Sequence, residues 1–193
     1  ESKTILHLDT FKTCLGKLPS HVGIAFSGFS EPFLNPNCTN FIKETIKYGN
    51  PIYIYTTLVG LKRNQVDYLE KLLMEGRFDI FKVHLPDDSS NMRGFRLNDD
   101  YLYAVNKILS QKNVSVMTMS SNARIDKSLY KEISQLSRAS EILNKVKNLS
   151  PFKGHNRAGS LSKIALRLLK KKSEDVVQAN WECGITCSKT PFY

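Results

Sequence analysis

Val22-Gly23-Ile24-Ala25-Phe26, Ile52-Tyr53-Ile54-Tyr55-Thr56, Phe78-Asp79-Ile80-Phe81-Lys82-Val83-His84-Leu85 and Val114-Ser115-Val116-Met117-Thr118-Met119 are four short, apolar-rich runs whose reading decides the fold. Each is rich in β-branched and aromatic residues and too short for a helix, so each predicts a strand, apolar on both faces. Between them lie segments with helical spacing. Thr39 to Tyr48 places Phe41, Ile42, Thr45 and Ile46 on one side and ends at Gly49. Asn64 to Met74 predicts a helix capped by Asn64 and closed by Gly76, and Asn98 opens a third that runs to about Gln111. A fourth is expected near Asp126 to Leu136, and a short one precedes the first strand, from Asp9 to Leu18, stopped by Pro19. Strand, loop and helix thus recur with a period of roughly 30 residues, the length of a right-handed βα unit, and this predicts an α/β fold with a parallel sheet. Periodicity alone leaves a doubly wound sheet and an arc of a barrel both open. Beyond Arg138 the alternation fades: residues 139 to 147 read as a helix or the start of one, and Lys163 to Lys172 reads as helical.

The composition narrows the function classes. A length of 193 residues with 41% hydrophobic content suffices for one real core. No run of eighteen apolar residues occurs, and Glu1-Ser2-Lys3 does not begin a signal peptide, so a cytoplasmic protein without membrane association is expected. The net charge of +10 suggests an anionic partner, but much of it sits between Arg157 and Lys172, a stretch without acids and without the interleaved aromatics of a nucleic-acid module. That stretch reads as a solvated helix face, and nucleic acid is not an expected partner. Four irregularly placed cysteines do not make a disulfide scaffold.

Ligands of parallel α/β folds sit at the carboxyl ends of the strands, so the loops there carry the functional reading. The first is Ser27-Gly28-Phe29-Ser30-Glu31-Pro32-Phe33-Leu34-Asn35-Pro36. Gly28 permits a sharp turn, Glu31 sets a carboxylate at the mouth, and Pro32 fixes the exit. The loop resembles the Gly-Gly-Glu-Pro loop of the radical S-adenosylmethionine enzymes, with Phe29 and Ser30 where the two glycines would stand. A plain alternative is a tight strand-to-helix turn with Glu31 near a helix start. Three further segments resemble the same family in the same order. Thr56-Thr57-Leu58-Val59-Gly60 falls where the family has a Thr-Asn-Gly-like turn. His84-Leu85-Pro86-Asp87 falls where it has a Ser-Leu-Asp, and Arg157-Ala158-Gly159-Ser160-Leu161 is similar to an Arg-Ala-Gly-Asn-Leu segment of members with a C-terminal auxiliary-cluster domain.

The resemblance, spanning about Leu8 to Leu161, implies a partial β/α barrel over residues 1–150, followed over 151–193 by a linker and the start of an auxiliary-cluster domain. It implies that Ser27, Gly28, Phe29, Ser30 and Glu31, with Thr56 and Thr57, receive the methionine portion of S-adenosylmethionine. The intact enzyme would cleave that cofactor reductively, with an electron from a [4Fe-4S] cluster fed by a reductase, and abstract hydrogen from a substrate; many members with auxiliary clusters act on peptides. The three cluster thiolates of a Cys-x3-Cys-x2-Cys loop have no counterpart in the 193 residues, so the first βα unit is expected to lie before Glu1 and the chain alone to be inactive and cofactor-free. Cys183 and Cys187 are read by resemblance as auxiliary-cluster ligands, Cys187 the better of the two, against the alternative of two small apolar residues near Trp181. Of the four histidines only His84, at a strand end, is placed near a site; Lys82 and Arg124 lie where they could meet a carboxylate. The rival readings are a non-catalytic α/β module that holds a nucleotide or other anion and, more remotely, a barrel hydrolase or aldolase fragment.

Overall fold

The computed structural model describes residues 5–27, 31–87, 92, 95–118 and 124–147. All of them belong to the first of two units, Glu1–Leu149 and Ser150–Tyr193. What residues 151–193 form, including the basic stretch, the Arg157–Leu161 segment and the Cys183–Cys187 pair, therefore lies outside the described residues.

The described unit is α/β. Four strands, β1 (Ile24–Phe26), β2 (Ile52–Thr56), β3 (Ile80–Leu85) and β4 (Val114–Thr118), pair in parallel in the order of the sequence. The register runs Phe26 opposite Ile54, Ile54 opposite Phe81, and Phe81 opposite Val114. Among these strands the order never reverses, so the described sheet has no topological switch point.

The two faces of the sheet differ, which corrects the expectation of strands apolar on both sides. Ile52, Ile54, Phe81, Val83, Leu85, Val114 and Val116 are buried and form the core with the helices. The alternate residues Tyr53, Tyr55, Lys82, His84, Ser115 and Met117 are only half-buried. The period is therefore two, and the strands carry a second, mostly polar and aromatic wall.

Helices fill the connections: α1 (Leu8–Leu15) before β1, α2 (Cys38–Tyr48), α3 (Arg63–Met74), α4 (Asp99–Leu109), α5 (Lys127–Ile133) and α6 (Ala139–Lys147). Their ends follow local rules. Gly49 closes α2 at φ 74°, a left-handed conformation that costs a side-chain-bearing residue about 1 kcal/mol or more. Asn98 caps α4 by accepting from Tyr101 N at 2.8 Å, and Asp126 caps α5 by accepting from Ser128 N and Leu129 N. α3 starts one residue earlier than its expected cap, Asn64, because Gln65 Oε1 reaches back to accept from Lys62 N at 3.0 Å. The undecided stretch 139–147 is helical as α6, and its Ile142 and Val146 are buried in the core. Gly23, just before β1, lies under the Tyr53 ring; a Cβ there would meet Cε2 at 2.2 Å, so any larger residue would displace the ring.

Candidate functional site

The carboxyl ends of β1 and β2 are tied together by one side chain. Glu31, which leaves the β1 loop, opens a short 3-10 turn (Pro32–Leu34) by accepting from Phe33 N at 3.2 Å. The same Oε1 accepts from Thr56 Oγ1 at 2.6 Å, and Oε2 accepts from both Thr57 N at 2.5 Å and Thr57 Oγ1 at 2.6 Å. A carboxylate offers about four acceptor positions, and here each meets a donor. Glu31 is thus at once the start of a helical turn, as the plain reading has it, and a brace between two loops. Its oxygens have no capacity left for a further ligand donor. Of the residues that precede it in the loop, Ser27 lies exposed at the end of β1, and Gly28, Phe29 and Ser30 lie outside the described residues.

The bracing continues into the next loop. Thr56 Oγ1, while donating to Glu31, accepts from Leu58 N at 2.8 Å. Leu58 takes φ 64°, a left-handed backbone in a residue that disfavours it, yet its side chain is buried to 1% exposure. Burial of the leucyl group offsets the strain. Gly60 also has positive φ, and a Cβ there would press on Leu34 Cδ2 at 2.9 Å. Leu58 to Lys62, together with Arg96 and Asn98 before α4 and Asp100 and Tyr101 in its first turn, line a cleft of about 180 Å³ beside the brace.

Tyr101 links that cleft to the strand ends. It is 5% exposed, its ring packs edge-on to Phe95 at 4.8 Å, and its hydroxyl meets no hydrogen-bond partner among the described residues. Burial holds the phenol protonated well above its usual range, and the carboxylates of Glu31 and Asp126 push in the same direction. An unmet buried hydroxyl costs roughly 1–3 kcal/mol. Tyr101→Phe should therefore raise the melting temperature by at least about 2–4 °C, the shift that the lower end of this range, about 1 kcal/mol, produces in a chain of this size. A thermal unfolding scan decides it, since a lower melting temperature would mean that the hydroxyl is bonded.

The remaining candidates divide. Thr56, Thr57 and Glu31, expected from separate loops, converge. Lys82 and His84 stand on the half-buried sheet face; Arg124 is exposed at the start of the segment whose Ile125 bridges Asp87. Cys38 is buried under the brace and its thiol is pushed up to about 12, by burial first and the Glu31 charge second, so it is a packing residue and not a nucleophile. Among the described residues no group of three His, Cys, Asp or Glu could hold a metal, and no helix is long and apolar enough to cross a membrane. Tyr101 carries no local motif that marks it as a site residue, and Asp126 is legible in the sequence only as the start of a helix. Neither the protein-family models, nor the curated proteins, nor the solved structures contain a match to this chain.

Proposed function

We propose that the chain is an interior piece of a radical S-adenosylmethionine enzyme, a partial β/α barrel whose strand-end loops orient the methionine portion of the cofactor. The observation that carries the reading is the Glu31 brace. It joins the loop that resembles Gly-Gly-Glu-Pro to the Thr56-Thr57 turn, the two segments singled out by resemblance, through bonds of 2.5–2.6 Å. Consecutive parallel strands without reversal support a barrel arc over a doubly wound sheet.

The brace also sharpens the roles within the reading. Glu31, Thr56 and Thr57 position; the groups left to accept the cofactor's ammonium are backbone carbonyls of residues 27–30. The donor set for a [4Fe-4S] cluster does not fit this chain, because Cys14 and Cys38 are its only cysteines before Cys183 and do not form the required spacing. No step of the reaction is therefore assigned to its residues. Peptide substrates and a reductase belong to the same proposal and rest on the resemblance; a cytoplasmic location belongs to it through the few, irregularly placed cysteines.

The test is a longer chain. The gene upstream of Glu1 should encode a Cys-x3-Cys-x2-Cys loop within one βα unit, and the extended protein, reconstituted anaerobically with iron and sulfide and reduced, should cleave S-adenosylmethionine to methionine and 5′-deoxyadenosine. The 193-residue chain treated alike should assemble no site-specific cluster. An upstream sequence without that loop sinks the reading, as does stoichiometric cluster assembly with turnover on the short chain.

A further inference from the structure

The half-buried face of the sheet is built unlike either a core or an ordinary solvent face. The register places Tyr55, Lys82 and Ser115 in one row across three strands, and His84 and Met117 in the next row toward the strand ends. Tyr53 stands on the same face below Tyr55. A parallel sheet buried on both sides would carry Val, Ile and Leu here, and a fully solvated face would expose its charges. Instead the wall carries aromatic rings and side chains with hydrogen-bond donors, and not one of these six residues is acidic.

Lys82 is the cation at its centre. It is half-buried, and it takes part in none of the ion pairs among the described residues. Its Nζ lies 5.7 Å from the centroid of the Tyr55 ring. A π-face supplies only about 0.5–1 kcal/mol, and a partly desolvated ammonium gains more from a hydrogen-bonded anion. Thr56 is paired with Val83, so Lys82 lies one residue below the level of the Glu31 brace and His84 one above it. A molecule seated at the strand ends thus meets Lys82 at its inner end.

We propose that Lys82 anchors an anionic group, carboxylate or phosphate, of the molecule on which the protein acts, with the Tyr55 ring holding the ammonium in place. The proposal rests on the strand ends being the functional site and names the substrate class there; it needs neither a cluster nor S-adenosylmethionine.

The full 193-residue chain would be titrated with inorganic phosphate, with N-acetylglycine, and with N-acetylglycinamide as the uncharged control, following the amide signals of Tyr55, Lys82 and Ser115 by NMR. At least one anion should produce saturable shifts at these three residues and the amide none. A response to phosphate alone assigns a phosphorylated substrate, and a response to N-acetylglycine a carboxylate. Lys82→Met should weaken binding about tenfold or more, as loss of one charge-assisted hydrogen bond does, while Lys82→Arg keeps it and Lys112→Met, on an exposed turn, changes nothing. No saturable shift with either anion, or Lys82→Met binding like the original chain, overturns the proposal. If the longer chain fails to cleave S-adenosylmethionine while these titrations succeed, the enzyme reading falls and the Lys82 site stands.

Discussion

Glu31→Gln should lower the melting temperature by roughly 6–12 °C, which corresponds to about 3 kcal/mol in a chain of this size. The carboxylate accepts from two backbone N–H groups and two hydroxyls, so each of its oxygens faces donors only. Glutamine offers one oxygen and one NH2. If the NH2 replaces Oε2 it confronts Thr57 N–H; if it replaces Oε1 it confronts Phe33 N–H. In either flip a partly buried backbone donor loses its acceptor, and the charge that strengthened the remaining bonds is gone. Thr57→Val, which removes a single hydroxyl donor and leaves Thr57 N–H in place, should cost only about 1 kcal/mol. Urea unfolding of the two variants side by side separates the cases: equal, small losses would mean that the brace contributes little and that Glu31 is merely the start of its helical turn.

At Leu58 the usual ranking of alanine over glycine should invert. Truncating a fully buried leucine costs about 2–5 kcal/mol, so both Leu58→Ala and Leu58→Gly should be strongly destabilised. In ordinary backbone, alanine is the better of the two by about 0.4–1 kcal/mol, because glycine has more freedom to lose on folding. At φ 64° alanine keeps the left-handed strain of roughly 1–2 kcal/mol and glycine sheds it. The expected order of stability is the original chain, then Leu58→Gly, then Leu58→Ala, with the last two about 0.5–1 kcal/mol apart. Alanine above glycine in denaturant unfolding would show that this turn relaxes to ordinary backbone. The original leucine ranks first because its burial outweighs the strain.

Much of the architecture was legible because it is written in short-range chemistry. Caps such as Asn98 and Asp126 act on N–H groups two or three residues away, and Gly49 answers a single backbone angle. Such features need no tertiary partner to be recognised. The start of α3 is of the same local kind: Asn64 is a good cap by residue type, but the backward reach of Gln65 to Lys62 N moves the start to Arg63. The polar wall was legible too, since Tyr53, Tyr55, Lys82 and His84 alternate with Ile54, Phe81 and Val83; treating the runs as uniformly apolar hid a period of two.

The site divides along the same line. Gly28, Glu31, Pro32 and the Thr56-Thr57 turn could each be picked out as loop residues following a strand. That Glu31 spends both oxygens on Thr56 and Thr57, 25 and 26 residues further on, could not. Tyr101 shows the limit most plainly, because a tyrosine in the first turn of α4 looks like any core aromatic until its hydroxyl is found buried beside carboxylates from the β1 loop and the start of α5.

By itself the sequence determined that this chain alternates strands and helices into a parallel α/β unit, since hydrophobic period and capping residues act within a few positions of one another. Only the tertiary structure decided that the strands lie in consecutive order, which face of the sheet the helices leave to Lys82, and that Glu31 braces and has no acceptor to spare. Those depend on register between strands far apart in the chain, where a shift of a single residue turns every side chain to the opposite face.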